Sequence, residues 1–77
     1  MDQQPEAILV FRTNLSGPEQ LAVVRPLLDE HPAISKWNVD REDIDCVLRV
    51  VPYTRLDARQ IEELLQSRGF KCEELPD

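Results

Sequence analysis

The residues of this chain best suited to metal or redox chemistry are two cysteines and one histidine. Cys46, Cys72 and His31 are far apart along the chain, and no Cys-x-x-Cys pair is present. Soft ions such as Cu(I) and Zn(II) prefer thiolates as ligands. Each cysteine instead lies in an apolar run, where a small hydrophobic residue would serve equally well. The sequence therefore predicts two buried structural cysteines in a reducing compartment.

The carboxylates do not form a recognisable acid–base arrangement. Fifteen Asp and Glu residues ensure that some are neighbours, but adjacent pairs such as Glu62-Glu63 and Glu73-Glu74 point in different directions on a helix or strand. No Ser-His-Asp set and no glycine-rich phosphate loop is present in the sequence. We therefore expect no enzymatic activity and no cofactor.

Length and charge exclude further classes of function. A chain of 77 residues predicts one domain, 1–77, with its core in about 7–75 and little room for a deep cavity. Nine basic against fifteen acidic residues give 9 − 15 = −6, a charge that repels phosphate backbones and anionic lipids. No segment approaches the roughly 18 apolar residues of a membrane span, and the first six residues lack a signal pattern. We expect a cytoplasmic protein that binds neither nucleic acid nor membrane.

The apolar periodicity predicts four strands and two helices. The first helix is expected to start at a capping box in which Ser16 is the N-cap and Glu19 the third residue on, and to end near His31. A second capping box at Asp57 and Gln60 starts the other helix, which Gly69 ends. The predicted strands are 7–12, 34–40, 44–51 and 70–75. The order βαββαβ indicates an α+β ferredoxin-like sandwich, a four-stranded antiparallel sheet with both helices on one face.

This topology separates the two cysteines. The first strand should lie between the strands that carry Cys46 and Cys72, which places the thiols about 10 Å apart from strand spacing alone. That distance is too long for one shared ion or for a disulfide bond. His31 should cap a helix C-terminus in solvent.

Several motifs, in order and at the right separations, resemble heavy-metal-associated (HMA) domains. They extend over the chain from Val10 to Leu75: His31-Pro32-Ala33-Ile34, Trp37-Asn38-Val39-Asp40, Ile61-Glu62-Glu63-Leu64-Leu65 and Gly69-Phe70. The resemblance implies the fold of copper chaperones and of the metal-binding modules of P-type ATPases. It also implies a Met-x-Cys-x-x-Cys metal loop at residues 15–20, where the two cysteine positions are occupied by Gly17 and Gln20. Because neither residue is a metal ligand, we expect no metal site here.

The sheet face opposite the helices is the remaining candidate site. If Ile44, Cys46, Leu48 and Val50 face the helices, the opposite face carries the apolar and basic side chains of Leu9, Phe11, Val47, Arg49 and Val51. An RNA-recognition role would need more aromatic residues than Phe11 alone on the central strands. The apolar excess predicts a surface for a homodimer or another protein partner, unless the chain's own termini cover it.

The sequence thus favours a non-enzymatic accessory or protein-interaction domain that has lost metal binding. The alternative is copper or zinc trafficking, or a metal response, through a non-standard site. A regulator that binds a small ligand at the sheet face is a third interpretation.

Overall fold

A computed structural model describes residues 8–53 and 55–75. The elements follow the predicted order: β1 Leu9–Thr13, α1 Pro18–Asp29, β2 Ile34–Asp40, β3 Val47–Pro52, α2 Ala58–Gln66 and β4 Cys72–Glu74. All strand pairs are antiparallel, in the order β2-β3-β1-β4. The ferredoxin-like prediction is confirmed.

Both helices pack on one face of the sheet. The apolar stripes of α1 and α2 contribute Val24, Leu28, Ile61 and Leu65, all fully buried in the same core as Leu48. The helix starts differ in how they are stabilised. Asp57 and Gln60 form the predicted capping box of α2, whereas α1 begins one residue later than predicted, with Gly17 as N-cap and no side-chain cap.

Gly69 ends the second helical region as predicted. Its φ of +88° is the left-handed conformation that glycine adopts without a Cβ penalty. The Phe70 N–H then donates to the Leu65 carbonyl, which turns the chain towards β4. No helix in the two described ranges has the length and apolar character needed to cross a membrane.

The strand β1 turns towards the helices the set of side chains that was predicted to face away from them. Phe11 is fully buried in the core, and Leu9 packs against that core, whereas Arg12 is exposed on the other side. The register fixes this choice because Leu9 pairs with Val50 and Phe11 with Leu48, two residues on the helix-facing side of β3. The prediction that Leu9 and Phe11 lie on the uncovered face is therefore wrong.

The start of β3 also differs from the prediction. Ile44, expected in the core, is 94% exposed in the β2–β3 loop, and β3 begins only at Val47. Asp43 ends the alternation: its carboxylate accepts a hydrogen bond from the Asp45 N–H, and its carbonyl accepts one from the Cys46 N–H. Cys46 then adopts a φ of +45°, so residues 44–46 form a turn and not a strand.

Candidate functional site

The β1–α1 loop is the place where the resemblance puts a metal site. Gly17 has extended backbone angles, φ −129° and ψ 165°, and so does not require glycine. The side-chain Oε1 of Gln20 lies 2.7 Å from the position that a Cβ on Gly17 would occupy. The two positions that carry cysteines in HMA domains therefore face each other here, but they present only an amide side chain and backbone.

Buried hydrogen bonds hold this loop to the sheet. The Thr13 hydroxyl donates to the Cys46 carbonyl at 2.6 Å and accepts from the Leu15 N–H at 3.2 Å. Leu15, at the position of the family's methionine, is fully buried in the core. Thr13 therefore holds the start of the β1–α1 loop against the β2–β3 loop.

Three loops meet at this end of the sheet. The Asn14 carboxamide oxygen accepts a hydrogen bond from the Lys71 N–H at 3.0 Å, which ties the β1–α1 loop to the α2–β4 loop. A groove of about 640 Å³ lies between these loops, with exposed Ile44 and half-buried Phe70 on its walls. Arg12 reaches from the neighbouring sheet surface to Asp45 at 3.4 Å and to Glu73 at 3.7 Å.

The cysteines lie on either side of Thr13 and are both free and buried. Cys72 pairs with Thr13 in the β1–β4 ladder, while the carbonyl of Cys46 accepts the Thr13 hydroxyl bond. β1 lies between β3 and β4 in the sheet, as the sequence predicted. Burial, together with the nearby carboxylates of Glu62 and Glu73, raises the pKa of the Cys72 thiol to about 12. Cys72 is therefore protonated at neutral pH, a poor state for a metal ligand.

The histidine has a structural role different from the predicted one. His31 follows α1 at the end of the molecule away from the β1–α1 loop, and its Nδ1 accepts a hydrogen bond from the Ala33 N–H at 3.1 Å. It therefore stabilises the turn into β2, where a solvated helix cap was expected. Within residues 8–53 and 55–75, no three His, Cys, Asp or Glu side chains come together as a metal site would require.

The uncovered face of the sheet, hereafter the open face, keeps part of the predicted set. Arg49 is exposed and Val51 half-buried on this face, but Val47 is only 7% exposed. In place of Leu9 and Phe11, β1 contributes half-buried Val10. The open face is thus less apolar than the sequence predicted.

A second groove, of about 480 Å³, was not predicted. It lies between α1 and β2, and its charged lining consists of Arg25, Asp29, Lys36 and Arg41. The indole N–H of Trp37 donates to Asp29 at 2.8 Å across this groove. Sequence patterns could not reveal it, because Arg25 lies on α1 whereas Lys36 and Arg41 lie on β2 and just after it.

No protein-family model matches the chain, and no curated protein matches it. Solved structures do. The copper(I)-loaded first domain of the human copper chaperone for SOD1, CCS, is 19% identical with a TM-score of 0.72 over 87% of this chain and 89% of that chain.

Two further structures agree. The yeast copper transporter domain Ccc2a, studied in apo and Cu(I)-loaded states, is 17% identical with a TM-score of 0.74 over 91% of this chain and 96% of that one. A chain of the Atx1–Cu(I)–Ccc2a complex gives 17% and 0.76 over the same shares. The chain has the fold of a heavy-metal-associated domain. At these identities the likeness shows the HMA fold alone, and the function has to be argued from the residues.

Proposed function

We propose that this chain is a non-enzymatic protein-interaction domain with an HMA fold that no longer transfers metal ions. The observation that carries the proposal is the pair Gly17 and Gln20, which face each other where an HMA domain presents two thiols. The structural neighbours supply the second half of the argument. One of them was solved as the Atx1–Cu(I)–Ccc2a complex, so an HMA fold can bind another protein.

Ligand chemistry supports the loss of metal binding. Transfer of Cu(I) by ligand exchange needs accessible thiolates, and amide or backbone oxygen is a poor substitute for a soft ion. Burial keeps the thiol of Cys72 protonated, and Cys46 is buried in the β2–β3 turn. Neither cysteine lies on the β1–α1 loop.

Two of the hydroxyl groups support a non-catalytic role. Thr13 donates to the Cys46 carbonyl and Ser67 to the Leu64 carbonyl, so both hydroxyls are used in backbone contacts. A nucleophilic hydroxyl would instead be hydrogen-bonded to a general base.

The second candidate function is metal trafficking through a non-standard site. It is favoured by the three neighbours named above, each of which was solved with Cu(I). In that case the ligands would come from other groups of this chain or from a partner.

A Cu(I) titration under reducing conditions, in competition with a coloured Cu(I) chelator, separates the two candidates. We expect the wild-type chain to leave the chelator complex intact. Nuclear magnetic resonance shifts of residues 16–20 should likewise not move. Removal of a stoichiometric amount of Cu(I) from the chelator, with shifts in that loop, would overturn the proposal.

The matched variants are G17C/Q20C and G17S/Q20S. Gly17 has backbone angles open to other residues, and replacing Gln20 removes the atom that approaches a new Cβ. We expect the dithiol variant to take up one Cu(I) and the dihydroxyl variant to take up none. If the folded dithiol variant also binds no Cu(I), the assignment of these two positions to the metal loop is wrong.

The open face remains the candidate partner surface, without Leu9 and Phe11. Arg49 and Val51 remain on it, and in the β2–β3 ladder they pair with Asn38 and Lys36. The open face therefore continues to the free edge of β2.

A further inference from the structure

The longest strand of the sheet is also an edge strand. β2 extends over seven residues, Ile34–Asp40, and in the described part of the chain it pairs only with β3. Its outer backbone N–H and C=O groups therefore face away from the sheet. Such an edge can accept a further strand.

The other edge is protected. β4 has three residues, and the N–H of Glu74 is capped by a carboxylate oxygen of Glu62 at 2.8 Å. Within residues 8–53 and 55–75, no side chain caps an N–H of β2 in this way. The two edges of one small sheet thus differ in their readiness to pair.

Cations surround the β2 edge on an otherwise acidic chain. Arg25, Lys36 and Arg41 line the 480 Å³ groove, against one carboxylate, Asp29, which accepts the indole hydrogen bond of Trp37. The chain as a whole has a net charge of −6. The groove beside the free edge therefore has a local charge of 3 − 1 = +2, and the one carboxylate of β2 itself, Asp40, lies outside its lining.

The cations lie on both sides of the edge. Lys36 is on the open face, since it pairs with Val51, whereas Arg25 lies on α1 on the helix side. A strand added to β2 would direct alternate side chains to these two sides. Carboxylates at successive positions would each meet a cation.

We propose that the free edge of β2 binds an extended acidic peptide segment of a partner protein by strand addition. The proposal rests on the proposed function as a protein-interaction domain and names its partner class and surface. Backbone hydrogen bonds to β2 would hold the segment, and carboxylates paired with Arg25, Lys36 and Arg41 would select it. A second copy fits less well, because two β2 edges would place like charges together and the acidic β4 edge is short and capped.

The test uses two synthetic hexapeptides as probes, acetylated and amidated, each with terminal Val residues and either four successive Glu or four successive Lys between them. Each is titrated into the isotopically labelled chain. We expect the Glu peptide to shift resonances of 21–29 and 34–40 and to slow hydrogen exchange of outer β2 amides. The Lys peptide should do neither. A Glu peptide N-methylated at alternate residues, which keeps its charges but cannot pair with β2, should bind at least tenfold more weakly.

Charge-reversal variants complete the test. R25E/R41E should weaken binding of the Glu peptide about tenfold. The control R59E changes an exposed arginine on α2, outside the groove, and should leave the affinity within about twofold. Melting curves confirm that each variant is folded.

Four results would overturn the proposal: equal binding of the Lys peptide, full binding of the N-methylated peptide, an equal loss in R59E, or shifts without slowed exchange at β2. Sedimentation that shows self-association through β2 would make a second copy the occupant and would also overturn it. The Cu(I) titration is independent of these measurements. If copper does not bind and the peptide also fails, only the edge proposal falls.

Discussion

Replacing Phe11 by alanine tests the placement of β1 most directly. Phe11 is fully buried between the sheet and the helices, whereas its neighbour Val10 is half-buried on the open face. Truncation of a buried phenylalanine costs about 3–5 kcal/mol, through lost transfer energy and the cavity that remains. Val10→Ala removes two methyl groups at a partly solvated position and should cost about 1 kcal/mol or less.

These costs are large for a domain of this size. At about 0.05–0.15 kcal/mol per residue, the folded state is stable by roughly 4–12 kcal/mol, so Phe11→Ala removes about a quarter or more of that stability. With a urea m-value of about 1 kcal/mol/M, the unfolding midpoint should fall by about 3 M or more, against about 1 M or less for Val10→Ala. Fluorescence of Trp37, the single tryptophan, and circular dichroism follow the transition.

The difference in stability loss between the Phe11 and Val10 variants is the decisive measurement. If Phe11→Ala does not fold, Phe11→Leu, with an expected cost of about 1–1.5 kcal/mol, takes its place beside Val10→Ala. An equal or larger loss from the Val10 variant would mean that β1 presents its other face to the core. The register of Phe11 with Leu48 would then be wrong.

Three further predictions concern the β1–α1 end of the sheet. Thr13→Val should lower the free energy of unfolding by about 2–3 kcal/mol, because it leaves the Cys46 carbonyl and the Leu15 N–H without a buried partner; urea unfolding measures this, and Thr13→Ser should lose much less. Cys46→Gly should leave the stability nearly unchanged, since relief of the left-handed φ of +45° offsets the lost side chain. Cys46→Val should cost at least about 1 kcal/mol, because a β-branched residue disfavours this conformation. Equal thermal stability of the two variants would show that the backbone at Cys46 is not strained. Burial raises the pKa of Cys72 from 9.0 to about 12, so the folded state holds its proton more tightly than the unfolded state; stability should be complete below pH 9 and fall as the pH rises from 9 to 12. Unfolding midpoints across this pH range check it, and a variant Cys72→Ala with the same alkaline loss would show that another group titrates.

The accuracy of the sequence predictions depended on how local the signal was. The span of β2, residues 34–40, and the capping box of Asp57 and Gln60 were both predicted correctly, because alternation and capping are read from neighbouring residues. The same capping rule failed at Ser16, where the helix begins at Pro18 after an uncapped Gly17. A capping-box spacing shows that a helix start is near, but it does not fix the residue.

The face of β1 shows where local signals end. Residues 8–11 are all apolar, so the sequence is equally consistent with either face of β1 being buried. Only the pairing of Phe11 with Leu48 decides which face packs against the helices. The apolar alternation of β3 extends back to Ile44 in the sequence, but the turn held by Asp43 keeps residues 44–46 out of the strand. The predicted association surface depended on the buried face of β1 and on the start of β3, so it changed when the structure corrected both.

The sequence by itself determined the element order and the chemistry available at the β1–α1 loop. The types of residue at 17 and 20 exclude a thiolate pair whatever the structure, since side-chain chemistry does not depend on packing. Only the tertiary structure decided that Phe11 belongs to the core, that Glu62 caps one sheet edge, and that cations from α1 and from the β2 region meet at the other edge. The reason is physical: a strand's buried face, its free edge and the charge around it depend on neighbours that are distant along the chain.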